Sequence, residues 1–188
     1  MQNALSSVFN ELEPLTEASR YRVEDFDCGD AGMNSFVKEH AWRQQRKLLN
    51  RTFLVRYDPP DSCPGFISLS TAHIASQLTG LFRNQLVYEN APALLIARMG
   101  VDRRFQRRGF ARDLMAAARL VAQTLPAGCR FLVLHVAVAN TPALALYDSE
   151  GFRVPEGYEP DENGLLLMFY DLATRKPAGK AGLSFASS

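Results

Sequence analysis

One stretch narrows the folds open to this chain more than any other. Residues 97–115 read ARMGVDRRFQRRGFARDLM: the end of an apolar run, an Arg-rich turn, and a helix that starts without a spacer. Ala93 to Val101 is apolar apart from Arg98 and reads as a largely buried strand. Gly109 opens the helix. Ala111, Leu114, Met115, Ala118, Val121, Ala122 and Leu125 then recur at one-face helical spacing, and Pro126 and Gly128 end it. A helix N-terminus carries N–H groups with no intrahelical partner at the positive end of its dipole, and phosphate binds there readily. Gly109 and Ala111 are small enough to let a pyrophosphate reach the backbone. Arg103, Arg104, Arg107, Arg108 and Arg112 add charge-assisted contacts.

The remaining segments alternate in the same way. Asp30 caps a helix with apolar positions Met33, Phe36, Val37, His40, Ala41 and Leu48. Thr52 to Tyr57 and Gly65 to Ser70 read as two strands of a hairpin, broken by Asp58-Pro59-Pro60-Asp61. Residues 74–92 carry no clear period. Phe131 to Ala137 reads as a buried strand, Thr141-Pro142 starts a short helix that Gly151 stops, and Leu165 to Tyr170 is a final strand. Helices and strands mixed around one sheet define an α/β (α+β) domain.

A chain of 188 residues suits one domain with a real core. Residues 1–172 are assigned to it. Residues 173–188, rich in small residues with no apolar period, read as a mobile tail. The N-terminus lacks the basic and apolar regions of a signal peptide, and no apolar run is long enough to span a bilayer. Cys28, Cys63 and Cys129 are odd in number and widely spaced, which argues against a disulfide framework or zinc site and for reduced thiols in the cytoplasm. No metal is expected. The formal net charge is +1, which disfavours a chain built as a basic nucleic-acid binder. That total hides an asymmetry. Residues 98–119 hold seven Arg against two Asp, a net of +5, and residues 148–162 hold six carboxylates against Arg153, a net of −5.

Gln106-Arg107-Arg108-Gly109-Phe110-Ala111 resembles the Q/R-x-x-G-x-G/A signature of the GNAT acetyltransferase superfamily, with Ala111 in the last small position. Met99-Gly100-Val101-Asp102 is similar to the family's splayed strand before that loop. Asn140, Ala143, Leu146, Tyr147, Gly151 and Phe152 fit its N-x-x-A-x-x-L-Y-x-x-x-G-F element. The resemblance covers about residues 20 to 172. It implies the GNAT fold: a mixed central sheet flanked by helices, with a splayed strand before a pyrophosphate loop. It also implies transfer of an acetyl group from acetyl-CoA, the co-substrate, to a primary amine by direct attack in a ternary complex. Cofactor contacts then fall to Met99, Gly100, Val101, Arg107, Arg108, Gly109, Phe110, Ala111, Arg112, Asn140 and Tyr147, with the pantetheine arm pairing along the strand edge beside Met99 to Val101.

Tyr147 matches the family's general acid. A phenol ionises near pH 10, a thiol near about 8.5, so Tyr147 is protonated at neutral pH and can hydrogen-bond to the departing sulfur. Asn140 resembles the family's pantetheine-contacting Asn, and also suits a helix cap. His135 is a candidate base acting through water, with Asp102, Glu24, Asp27 and Glu89 as alternatives. Phe26-Asp27-Cys28-Gly29-Asp30 followed by Met33-Asn34-Ser35-Phe36 resembles the F-D-C-G element of one GNAT branch. That branch includes toxins that acetylate aminoacyl-tRNA. Three readings stand: an N-acetyltransferase whose amine acceptor the sequence does not specify, a toxin of a toxin–antitoxin pair acting on charged tRNA, and a non-catalytic acyl-CoA-binding module. Arg43, Arg46, Lys47 and Arg51 form a second basic stretch, read as a solvated helix face. The acidic 148–162 segment follows Tyr147, where a cationic amine would approach. No membrane partner is expected, and a homodimer is left open.

Overall fold

A computed structural model describes residues 12–58, 61–80 and 89–174. Six strands form one sheet in sequence order: β1 (Leu12–Pro14), β2 (Arg51–Val55), β3 (Gly65–Ala75), β4 (Asn90–Val101), β5 (Phe131–Ala137) and β6 (Leu165–Asp171). Every neighbouring pair is antiparallel except β4 and β5. A parallel pair needs a crossover, and helix α3 (Phe110–Thr124) supplies it. Before it, α1 (Ala31–Ser35) runs through a π-helical turn (Phe36–His40) into α2 (Ala41–Arg46). After β5 comes α4 (Thr141–Ser149).

The strands' period of two sorts their side chains onto two faces. On one, Ile67, Leu69, Leu94, Ile96, Leu132, Leu134 and Val136 pack against Phe110, Leu114, Met115 and Ala118 of α3. Leu114 and Met115 are essentially inaccessible, and truncating either to Ala costs about 2–5 kcal/mol by the usual cavity penalty. On the other face, Leu54 and Phe66 meet Phe36, Val37 and Ala41 of the N-terminal helices. Further along the same face, Ala93, Phe131, Val133, Leu167 and Phe169 form a separate cluster.

Two irregularities in β4 shape the sheet around it. Its register against β3 shifts between Ser68 and Leu69, which pair with Arg98 and Ile96, so Ala97 is an extra residue in the strand. Its pairing with β5 covers only Ala93–Phe131, Leu94–Leu132 and Leu95–Val133. Beyond that point the two parallel strands diverge, and among the described residues no strand pairs with the second half of β4 on that side. This is the splayed strand that the sequence resemblance implies.

The elements expected from periodicity are present, with changes at their ends. Strand β3 runs to Ala75 and β4 starts at Asn90, which absorbs much of the unassigned 74–92 stretch. Residues 59–60 and 81–88 lie outside the described residues, as do 1–11 and most of the expected tail, 175–188. Strand β1 carries no signal of its own: three residues are too few to show a period. The expectation that Leu48 lies on the helix's apolar face is corrected. It lies past the end of α2, 86% exposed, with a positive φ of 58°. His40 is also exposed, because the π turn adds a residue and rotates the later positions.

Candidate active site

The diverging strands and the start of α3 make one continuous feature. After Val101, Asp102 caps a short turn (Arg103–Phe105), its carboxylate accepting from the Arg104 amide at 2.9 Å. The chain then reverses at two left-handed residues, Arg107 (φ 63°) and Gly109 (φ 96°). Gly109 holds that conformation without steric cost, whereas Arg107 is strained there. The Arg112 and Asp113 amides both return to the Gly109 carbonyl, at 2.9 and 3.2 Å. The residues before Arg112 thus form the open, positive end of a fifteen-residue helix. The loop thus leads directly into an open helix start at Gly109, the position that the sequence pattern marks.

The five loop arginines do not share one task. Arg103 sits 3.3 Å from the Asp27 carboxylate. Arg104 is bidentate on the buried Asp102, through Nε and Nη2 at 2.9 Å each. Both are tied to carboxylates that frame the loop, so their charge is already shared. Arg108 lies over the Phe105 ring at 5.5 Å. Arg112 is 3.4 Å from Glu150 at the end of α4, which Arg119 also binds at 2.9 Å. Arg107, Arg108 and Arg112 remain as cations at the helix start, Arg112 shared with Glu150. That sharing also qualifies the expected acidic approach surface, since Glu150 is committed to two arginines.

The F-D-C-G element is built against this loop. The Asp27 amide donates to Asp102 Oδ2 at 3.1 Å, and the Arg103 amide donates to the Asp27 carbonyl at 2.8 Å. Gln106 Nε2 donates to the carbonyls of Cys28 and Val101, both at 3.0 Å. Asn34 locks the turn from α1: its Nδ2 donates to Asp27 Oδ1 at 2.8 Å and its Oδ1 accepts from the Cys28 amide at 2.9 Å. The Asn34 and Gly29 hydrogen bonds, with Arg103 nearby, hold the Asp27 carboxyl below its usual range. Burial pushes Asp102 up, but the Arg104 and Asp27 hydrogen bonds outweigh it and the net shift is downward. These partners hold both carboxylates ionised, which makes each a weaker base. Glu89 lies at the far end of β4 from the splay, and Glu24 is exposed before the F-D-C-G turn.

Tyr147 is on α4, half-buried against the α3-side core and 5.9 Å from the Phe152 ring. Burial raises its phenol above the ordinary value, which keeps the proton on oxygen. Asn140 caps α4, its side chain accepting from the Ala143 amide at 3.2 Å. His135 is exposed on β5 and paired in register with Leu167. It alternates with Leu134 and Val136, so it stands on the sheet face opposite Tyr147 and α3. Met99 and Val101 are half-buried on the α3 side. Gly100 is packed so closely that a Cβ would sit 2.9 Å from the Phe66 ring and 3.3 Å from that of Phe26. Met99, Val101 and Tyr147 thus pack on the α3-side core, Gly100 faces Phe66 and Phe26, and His135 stands on the face away from α3.

In the sequence, Arg98 stands out only as an interruption of an apolar run, a lone charge in a strand otherwise fit for burial. It is exposed on the His135 face, with its guanidinium 5.7 Å from the Phe36 ring centre. Cys28, Cys63 and Cys129 are unbonded. Among the described residues, no three His, Cys, Asp or Glu side chains gather as a metal ion requires, and no helix is long and apolar enough to cross a membrane.

A sheet splayed beside an open helix start, with a protonated phenol packed on the same core, fits an acyl-CoA-dependent transferase. A model of the acetyltransferase (GNAT) family matches residues 20–152, and the chain belongs to that family. It is an N-acetyltransferase with acetyl-CoA as co-substrate. Solved structures of similar fold include a tyrosine-to-phenylalanine mutant of the AtaT toxin, 26% identical, covering 86% of this chain and 88% of that one with a TM-score of 0.68. A mutant of KacT is 25% identical over 86% of this chain and 94% of that one, with a TM-score of 0.71. AtaT complexed with acetyl-methionyl-tRNAfMet is 25% identical over 85% and 93% of the two chains, with a TM-score of 0.70.

Proposed function

We propose that this acetyltransferase acts on the free α-amine of aminoacyl-tRNA, as the toxin of a toxin–antitoxin pair in the cytoplasm, where both substrates occur. The observation that carries the reading is the likeness to AtaT captured with acetyl-methionyl-tRNAfMet, which spans nearly the whole of that chain. The F-D-C-G element, hydrogen-bonded to the loop before α3, supports it, because it resembles that of the branch that includes aminoacyl-tRNA-acetylating toxins. AtaT is also solved with the C-terminus of its antitoxin AtaR, and KacTA with DNA. These name the kind of partner this chain would have.

Acetyl-CoA supplies the acetyl thioester; this chain's residues do the rest. Amides at the start of α3 with Arg107, Arg108 and Arg112 hold the pyrophosphate, and the free edge of β4 at Met99–Val101 aligns the amide-bearing arm. Asn140 has its Nδ2 left to reach that arm while its Oδ1 caps α4. The amine approaches from the His135 face and first gives its ammonium proton to His135 through water. The freed nitrogen forms the C–N bond as the C–S bond breaks, the thiolate takes the Tyr147 proton, and the second N–H proton leaves to water, from which the phenol is reprotonated.

Expression of the intact chain in bacteria is expected to arrest growth, with N-acetylated aminoacyl ends found by mass spectrometry of the tRNA pool. Unimpaired growth with no acetylated tRNA, alongside acetylation of a small amine in vitro, overturns the tRNA reading and leaves the family activity standing.

A further inference from the structure

Arg98 is the residue that neither the cofactor loop nor the core explains. It lies past the last β4–β5 pair, opposite Ser68 and beside the bulged Ala97. That places it at the mouth of the splay, on the face shared with Phe36 and His135 and opposite α3 and Tyr147. It is the one charge in the run from Ala93 to Val101, and its side chain is exposed to solvent on that face.

Its partners within the protein are few. Among the described residues, Arg22, Arg56, Arg103, Arg104, Arg112, Arg119 and Arg130 each have a carboxylate within salt-bridge distance, and Arg98 has none. Its Nη1 donates to its own neighbour's carbonyl, Ala97, at 2.7 Å. The plane rests against Phe36, which is buried on the π turn. The ring and the Ala97 bond fix the guanidinium without neutralising it. An oriented, unpaired fork of donors is suited to a bidentate oxyanion. The cofactor's phosphates are served by the loop at the start of α3. Arg98, on the other face, is therefore available to the other substrate.

We infer that Arg98 is a specificity-determining residue that receives a backbone phosphate of the acceptor. This rests on the aminoacyl-tRNA reading. In such an acceptor the α-carboxyl is esterified, so the anion nearest the reacting amine is the phosphodiester on the 5′ side of the terminal adenosine. Guanidinium and phosphodiester would then set the distance at which the amine meets the thioester. Phe36 positions Arg98 and does not touch the acceptor in this scheme.

The experiment compares two acceptors: an aminoacylated CCA trinucleotide, which carries that phosphate, and aminoacyl-adenosine, which does not. For Arg98→Gln, kcat/KM toward the trinucleotide is expected to fall about tenfold or more, the scale of one lost charge-assisted contact. Toward aminoacyl-adenosine it changes less than about twofold, and the KM for acetyl-CoA is unchanged. Arg98→Lys recovers part of the trinucleotide loss. Arg98→Met, which keeps the apolar stem on Phe36, behaves as Arg98→Gln does while leaving the melting temperature intact. Equal losses on both acceptors, or a raised acetyl-CoA KM, overturn the inference and leave Arg98 a packing residue. If the unmodified enzyme acetylates neither acceptor, the tRNA reading fails and this inference fails with it.

Discussion

Gln106 joins two carbonyls that lie 78 and 5 residues away along the chain: Cys28 and Val101, each 3.0 Å from its Nε2. One amide thereby fastens the turn before α1 to the end of β4. Gln106→Ala removes two neutral hydrogen bonds at an exposed site. About 1 kcal/mol is expected to be lost from loop placement, roughly fivefold in acetyl-CoA affinity. Isothermal titration measures it, and an unchanged dissociation constant would show that the loop keeps its shape alone.

Asp102 is the deeper part of the same junction. Its carboxylate accepts from two backbone amides and a bidentate arginine, and it is 1% exposed. Asp102→Asn is expected to cost about 1–3 kcal/mol, since charge-assisted bonds are replaced by weaker ones. The native carboxyl ionises below its unfolded value of about 3.9. The stabilisation is therefore complete above that value and lost as pH falls through it. Urea midpoints measured from pH 6 to 3 should drop less steeply in the variant than in the native chain.

Asp113 shows the opposite sign. It stands in the first turn of α3, where a negative charge is normally favoured. Burial and then the nearby Glu150 outweigh the dipole and raise its pKa. A raised acid stabilises the fold fully below its unfolded pKa and loses that contribution as pH rises through the folded one. Asp113→Asn is thus expected to raise the melting temperature at pH 7 and to lose that advantage near pH 4. A lower melting temperature at pH 7 would refute the assignment.

Tyr147 is half-buried with its phenol kept neutral by burial. Tyr147→Phe keeps the ring against Phe152 and removes only the proton donor. Turnover should fall about a hundredfold, the lower range for a lost general acid, while acetyl-CoA binding by thermal shift stays near the native value. A matching loss in binding would assign Tyr147 to cofactor docking instead.

The features legible in the chain and those hidden from it divide along one physical line. Local periodicity locates α3 at Gly109, β5 at Phe131–Ala137 and Tyr147 on a short helix, because burial on one face leaves a repeat in the sequence. Charge does not work that way. Arg103, Arg104 and Arg112 look like unpaired cations beside the loop. For Arg103 and Arg112 the carboxylate partners, Asp27 and Glu150, lie 76 and 38 positions away, and only folding reveals them. Leu48 fails for a related reason: the π turn inserts a residue that no helical wheel anticipates, and α2 stops at Arg46. Arg98 is visible as an oddity, but its use depends on which face it takes.

The three-pair contact between β4 and β5 has a mechanical consequence. Backbone bonds knit β1–β4 into one plate and β5–β6 into another, and the seam between them is short. Packing of α3 bridges the seam on one face, and the cluster of Ala93 with Phe131, Val133 and Phe169 bridges it on the other. Such a sheet is finished by its guest: an extended, amide-bearing arm laid against the free edge of β4 would act as a temporary rung between the plates. Bound there, the arm would tie together two plates that share only three backbone pairs of their own.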